Sequence, residues 1–187
     1  MKKLFGIITL LIALTACHRE EYFPKPKAFL RLEYPPHRYE KFYPPLPFSF
    51  EKSYLARWEN KSDTAFNLYY PSMKARIYMT YSPIHNNLKK LLMDADKLTY
   101  KHAIKATGFP ANDFVKPQKQ VYGRLTLVTG NAASPLQFYL TDSTHHFVTG
   151  SLYFRAVPNY DSVRPPLEYL KQDIIHLMET WEWKSQQ

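Results

Sequence analysis

Short runs in which apolar and polar residues alternate recur from residue 48 onward, and they predict β-strands. Successive side chains of a strand point to opposite faces, so alternation is typical of a strand with one buried face. Residues 71–74 join two of these runs at hairpin length, and the connectors 130–135 and 142–145 are short enough for antiparallel neighbours. The pattern therefore predicts a hairpin followed by a meander of three strands. The predicted strands are 48–51, 65–70, 76–81, 119–129, 136–141 and 146–155.

Two other stretches repeat apolar residues every third or fourth position, which is the spacing of a helix with one buried face. The first follows Asn86 and Asn87, which can cap a helix, and ends before Gly108. The second begins at Pro165 and Pro166, which suit a first helical turn. The apolar stripes are Leu88, Leu91, Leu92, Ala95, Leu98 and Ala103, and then Leu167, Leu170, Ile174, Leu177, Met178 and Trp181. We therefore expect an α+β fold, a mainly antiparallel sheet with both helices packed on it.

The segment that precedes these elements, residues 21–50, is rich in proline and aromatic residues. Seven of the fifteen prolines lie between Pro24 and Pro47. Proline fixes φ and removes an N–H donor, so the segment is expected to run extended as an arm. A flexible tether would instead be rich in Gly and Ser. We expect the first few residues to be tether and the rest to wrap along the domain. The alternative is a docking segment for a partner.

The chain begins with the pattern of a secretory signal peptide that ends at a lipid-attachment site. Lys2 and Lys3 precede an apolar run from Leu4 to Leu14, which is too short to span a bilayer because a spanning helix needs roughly 20 apolar residues. Leu14-Thr15-Ala16-Cys17 resembles a lipobox, and Cys17 is the only cysteine. We predict cleavage after residue 16 and attachment of acyl chains such as palmitate to Cys17, which would anchor the chain stably to a membrane. The predicted divisions are 1–16 for the signal peptide, 17–46 for the tether and arm, and 47–187 for a single domain.

Charge and location narrow the classes of partner. Loss of Lys2 and Lys3 with the signal peptide lowers the formal net charge from +9 to +7. We expect the domain to lie outside the cytoplasm, in the periplasm or alternatively at the cell surface, so nucleic acid is not a predicted partner. The positive net charge fits acidic phospholipid or an acidic protein surface better than nucleic acid as a partner. Scattered solvated lysines without a partner are the alternative.

The sequence offers one candidate cluster of reactive side chains, Asp142-Ser143-Thr144-His145-His146. Adjacent histidines of a strand point to opposite faces, so regular geometry does not direct both at one metal ion. We expect instead a polar hairpin turn in which Asp142 accepts hydrogen bonds from its own backbone. The chain has no G-x-S-x-G elbow and no glycine-rich phosphate loop. We therefore predict no catalytic residue, no metal site and no cofactor; a hydrolase assembled from dispersed residues is the weaker alternative.

Several longer motifs resemble the gliding motility lipoprotein GldD family of Bacteroidota. They are the lipobox, PKPKAFLRLEYP (24–35), YKHAIKA (100–106), VYG (121–123), GNAASPLQFYLTDSTHHFVTGSLYF (130–154), PNYDS (158–162) and IIHLMETWEWK (174–184). The resemblance covers nearly the whole mature chain. It implies a membrane-attached accessory of the gliding apparatus, whose components overlap with the type IX secretion system, and it supplies no catalytic or cofactor-binding residue.

The leading functional prediction is therefore a non-catalytic interaction and assembly protein of the cell envelope. Within it, the basic and aromatic residues of the arm are the predicted partner contacts, and they are Lys25, Lys27, Phe29, Arg31 and Tyr34. The alternative for these residues is an arm that only covers the edge of its own sheet. The alternative function is an envelope lipoprotein that binds a small ligand or a cell-wall fragment, for which we expect a pocket with polar groups among aromatic side chains.

Overall fold

The computed structural model of the protein describes residues 33–101, 106–155 and 160–184, and it confirms the α+β prediction. The strands are β1 (Tyr39–Phe42), β2 (Phe48–Ser53), β3 (Arg57–Asn60), β4 (Ala65–Tyr70), β5 (Ala75–Pro83), β6 (Ala106–Gly108), β7 (Ala111–Lys116), β8 (Val121–Leu127), β9 (Thr129–Gly130), β10 (Leu136–Thr141), β11 (His146–Phe154) and β12 (Glu182–Trp183). The helices are α1 (Leu88–Lys101) and α2 (Tyr160–Glu179). No helix in these parts of the chain is long and apolar enough to span a membrane.

The centre of the fold is a seven-stranded sheet with the order β3-β4-β5-β11-β10-β8-β7, in which all neighbours are antiparallel. The predicted hairpin is present as β4 and β5, with Tyr70 opposite Ala75. The predicted meander is β8, β10 and β11. Pairing of β11 with β5 joins the hairpin to the meander, and it aligns Thr149 with Thr80. The sequence pattern thus identified the five central strands.

A second sheet of three strands, β1-β2-β12, brings the two ends of the described chain together. Phe42 lies opposite Phe50, and Trp183 lies opposite Phe48. The strand Tyr39–Phe42 belongs to the segment predicted as an extended arm, and it shows that this part of the arm is a paired strand. Phe48 and Phe50 stack against Trp181, which follows α2, so this sheet closes over the end of the helix.

The core lies between the inner face of the seven-stranded sheet and α2. Inward residues of β4, β5, β8, β10 and β11 meet the apolar stripe of α2, and the largest fully buried side chain is Trp181. Burial of a large apolar side chain contributes about 1.5–3 kcal/mol, so this contact supplies much of the stability. The stripe contains Leu167, Leu170, Ile174, Leu177 and Met178 as predicted.

The outer face of the same sheet is covered only in part, by α1. Thr99 Oγ1 donates to Gln137 Oε1 over 3.1 Å, which places α1 above β10. The apolar stripe of α1 is half-buried at best, and Leu98 is exposed. Neither α1 nor another described element covers the outer side of β4 and β5. Half of the outer face therefore remains open.

Four parts of the local prediction differ from the structure. The first helix was expected to end just before Gly108, but Ala106–Gly108 is the strand β6. No strand was predicted between that helix and residue 119, but Ala111–Lys116 is an edge strand paired with β8. Pro165 and Pro166 were expected in the first turn of the second helix, but α2 begins at Tyr160 and both prolines lie inside it. Each proline there removes a helical hydrogen bond and clashes with the carbonyl four residues earlier, at a cost of about 3 kcal/mol, which the packing of the apolar stripe of α2 has to offset. Arg57–Asn60 was not predicted as a strand. Ala103 lies outside the described residues.

Candidate functional site

The described end of the proline-rich arm is fastened to α2. Tyr34 is half-buried against Tyr169, with the ring centroids 5.0 Å apart, and burial raises the pKa of the Tyr34 phenol. The Tyr169 hydroxyl donates to the carbonyl of Pro35 over 3.1 Å. Tyr34 is the only predicted partner contact that the structure describes; Lys25, Lys27, Phe29 and Arg31, and also Cys17, lie outside the described residues.

A buried carboxylate on α2 holds the arm in place. Asp173 is 3 % exposed, and its Oδ1 accepts hydrogen bonds from His37 Nδ1 (2.7 Å) and the Tyr39 hydroxyl (3.1 Å). Burial, and then the charge of Asp173, raise the pKa of Tyr39 above its usual range, so Tyr39 stays a neutral donor. The Tyr39 ring stacks on His176 at a centroid distance of 3.6 Å. We name these contacts between residues 34–39 and α2 the arm clasp.

The sequence predicted that the arm wraps along the domain, and residues 34–39 do so, but it did not identify the face of α2 that receives them, although a signal existed. Tyr169, Asp173 and His176 recur at the spacing of neighbours on one helix face. This face lies beside the apolar stripe of α2, and it carries the polar and aromatic groups that receive the arm. His176 Nε2 also lies 2.8 Å from Glu51 Oε2, which ties the same face to β2.

The cluster 142–146 forms the predicted polar turn between β10 and β11. Asp142 Oδ1 accepts hydrogen bonds from the backbone N–H groups of Thr144 (2.9 Å), His145 (2.8 Å) and His146 (2.7 Å). Burial by itself would raise the pKa of Asp142, but these three N–H donors outweigh it and lower that pKa. Ser143 has the left-handed φ of 70° that closes the turn. The prediction that Asp142 binds its own backbone is confirmed.

The two histidines of the turn do not point in opposite directions as the alternation of a strand would have them, because His145 precedes β11: their ring centroids lie 6.1 Å apart, and both side chains line one depression. The side chain of His145 is 65 % exposed. His146 is buried, its Nδ1 lies 2.9 Å from the Tyr81 hydroxyl, and its ring stacks on Trp183 at 5.2 Å. Burial lowers the pKa of His146, which keeps its imidazole neutral near pH 7.

The polar atoms of this turn are arranged poorly for nucleophilic catalysis. An open depression of about 420 Å³ lies beside it, between His145 and Lys184. Thr144 Oγ1 lies 2.9 Å from His145 Nδ1, and Asp142 Oδ2 lies 3.5 Å from the same nitrogen. A catalytic triad needs the hydroxyl and the carboxylate on different ring nitrogens, because one nitrogen takes the proton while the other is oriented. In the described part of the chain, no three His, Cys, Asp or Glu residues converge on a possible metal ion.

The open half of the outer sheet face forms a groove, which we name the outer groove. Its floor consists of the outward side chains of β5 and β11 and the residues that flank them, from Lys74 to Thr80 and from Thr149 to Arg155, and Leu98 of α1 lies at its side. It encloses about 630 Å³, within the usual range of ligand sites. Tyr78 and Tyr153 meet edge to face on its floor, with centroids 5.4 Å apart.

Together these features define a class of protein, a small α+β domain that holds its own N-terminal extension on one helix and leaves half of a sheet face open. The sequence matches the model of a family described as gliding motility lipoprotein GldD over residues 19–183. The chain therefore belongs to the GldD family of gliding motility lipoproteins. A search of curated protein sequences found no match. Family membership indicates anchoring to a membrane of the cell envelope and a part in gliding motility.

Proposed function

We propose that the protein is a non-catalytic interaction and assembly component of the gliding apparatus and of the associated type IX secretion system. In this proposal Cys17 carries the lipid, and the folded domain lies in the periplasm. The observation that carries the proposal is the family match, which spans both the arm and the domain. We therefore treat the arm and the domain as one functional unit.

The arm clasp supports a role for the arm in positioning the domain. It fixes residues 34–39 on α2, so residues 18–32 connect the lipid site to a defined point on the domain. Fully extended, a segment of that length reaches about 50 Å. Lys25, Lys27 and Arg31 lie in this connection, and we propose that they contact a partner close to the membrane.

The geometry of the β10–β11 turn supports a non-catalytic role. The Asp142 carboxylate is occupied by three backbone donors, and the Thr144 hydroxyl beside His145 shares a ring nitrogen with that carboxylate. The hydrogen bonds of these side chains therefore stabilise the turn itself. We therefore expect the double substitution Thr144→Ala with His145→Ala to leave gliding intact.

Proximity labelling in living cells tests the proposal, with the labelling enzyme fused after Gln187. We expect gliding or secretion proteins among the labelled neighbours of the wild-type chain. Cys17→Ser should abolish this labelling, because the domain is released from its membrane. Lys25→Ala with Lys27→Ala should reduce labelling of the partner and leave the unfolding midpoint unchanged. Absence of every gliding and secretion protein from the wild-type sample would contradict the proposal.

A further inference from the structure

The outer groove has a chemical gradient along its length that follows from strand register. β11 pairs with β5 so that Thr149 lies opposite Thr80, Ser151 opposite Tyr78, and Tyr153 opposite Arg76. The backbone N–H of Arg155 then donates to the carbonyl of Lys74 over 2.8 Å. One end of the groove thus carries hydroxyl groups, the middle carries tyrosine rings, and the other end carries cations.

Two of the three cations are available to a ligand. Arg76 is occupied, because its guanidinium donates to both carboxylate oxygens of Glu59 and lies 4.0 Å from the centroid of the Tyr69 ring. Lys74 and Arg155 are exposed, and no residue described by the structure pairs with either side chain. They flank the same pair of strands, so they can meet one anionic ligand together.

The size and charge of the groove limit the kinds of molecule that it can bind. From Lys74 to Thr80 the floor measures about 20 Å at the rise of a β-strand, the length of an extended peptide of about six residues. Two free cations are too few for nucleic acid, because a typical interface neutralises roughly 6–10 phosphates. The arm of this chain is also unsuited, because Lys25, Lys27 and Arg31 would meet like charge.

We propose that the outer groove binds an extended acidic peptide segment of a partner protein. Carboxylates of the segment pair with Lys74 and Arg155, and an apolar side chain lies between Tyr78 and Leu98. Tyr78 and Leu98 are 46 % and 37 % exposed, and such a contact would cover both side chains. The inference rests on the proposed assembly function and gives the partner a defined chemistry.

Binding of a labelled peptide to the purified full-length mature protein tests the inference. The probe is fluorescein-Gly-Glu-Leu-Glu-Glu-Gly, and the comparison probe has Gln in place of each Glu. Measurements at about 0.15 M salt limit long-range attraction to a basic protein, because the screening length is then roughly 8 Å. We expect fluorescence anisotropy to show tighter binding of the Glu probe. Equal binding of both probes would overturn the inference.

Charge-matched variants separate the groove from the overall charge. Lys74→Glu with Arg155→Glu should weaken the Glu probe by roughly tenfold, as expected for loss and reversal of two exposed ion pairs. Lys89→Glu with Lys90→Glu changes the net charge equally on exposed positions of α1, and it should weaken binding less than twofold. Lys74→Asn with Arg155→Gln is the milder pair if the reversal impairs folding, because Asn tolerates the left-handed φ of 49° at Lys74. Equal weakening by the groove and control pairs would overturn the inference.

Two further measurements test whether the ligand is a peptide and whether the groove binds a partner in the cell. Anionic vesicles and soluble cell-wall fragments are tested as competitors, and binding of either in the groove without binding of the Glu probe would overturn the peptide assignment. Proximity labelling by the Lys74→Glu/Arg155→Glu variant should lose a partner that the wild type labels. If the labelled partners stay unchanged, the groove inference fails and the assembly function stands; if the wild type labels none, the assembly function itself fails.

Discussion

Substitution of Asp142 by Asn tests whether the polar turn between β10 and β11 is a structural element. Asn keeps the shape of the side chain and a carbonyl oxygen in place of Oδ1, and it removes the negative charge. In the wild type that oxygen accepts three backbone N–H groups at 2.7–2.9 Å. The substitution therefore changes three charge-assisted hydrogen bonds into neutral ones.

The expected cost follows from those three bonds. A hydrogen bond to a charged group contributes about 1.5–3 kcal/mol, and a neutral one about 0.5–1.5 kcal/mol. Because Asp142 is largely buried, the difference is only partly relieved by water, and we expect Asp142→Asn to lower the free energy of unfolding by about 2–3 kcal/mol. Asp142→Ala should cost more, because it leaves the buried N–H of His146 without a partner.

Chemical denaturation followed by circular dichroism measures these differences. Ser143→Gly provides a control in the same turn, because glycine adopts the φ of 70° without the penalty of about 1 kcal/mol that a side chain adds. It should stabilise the wild type and partly restore Asp142→Asn. An Asp142→Asn protein within about 0.5 kcal/mol of the wild type would refute the structural reading. Loss of gliding at unchanged stability would instead indicate chemistry at this turn.

Three other substitutions test the core, a buried histidine and the arm clasp. Gly150→Ala should lower the unfolding free energy by about 1–3 kcal/mol, because its Cβ would lie 2.2 Å from ring atoms of the buried Phe138, and Phe138→Leu in the same chain should recover part of the loss. His146 has a lowered pKa in the folded protein, so stability should fall as the pH drops below about 6.5, where the unfolded chain takes up the proton first. His146→Gln should flatten this dependence in denaturation curves from pH 7 to 5; a slope equal to that of the wild type would contradict the assignment. His37→Ala removes a donor that ties the arm to the buried Asp173 carboxylate, so limited proteolysis should cut the arm faster than in the wild type, and an unchanged rate would argue against the arm clasp.

The sequence pattern predicted the parts of the fold whose two faces differ strongly. β4, β5, β10 and β11 have a buried apolar face and a polar outer face, so alternation identified them. The edge strand Ala111–Lys116 is exposed along most of its length, and only Phe114 of this strand packs against the core. Its sequence therefore lacks the apolar–polar alternation that predicts a strand. β1 was hidden in the proline-rich segment because its pairing with β2 depends on tertiary contact.

The candidate sites divide in the same way. The Asp142 turn is local, since acceptor and donors lie within four residues, and it was predicted correctly. The arm clasp joins residues more than 130 positions apart, and no spacing rule connects His37 with Asp173. The outer groove depends on strand register and on how little of the sheet α1 covers, so its residues could be recognised only in three dimensions.

In the proposed function, acylation of Cys17 anchors the protein to the envelope, and the assembly role depends on that anchoring. Mass spectrometry of the amino-terminal peptide, prepared from the membrane fraction of the native cells, measures the acylation directly. The account predicts a mature chain that begins at Cys17 and carries the added mass of diacylglycerol and an amino-terminal acyl chain. An unmodified Cys17 thiol, or a chain that retains residues 1–16, would contradict it.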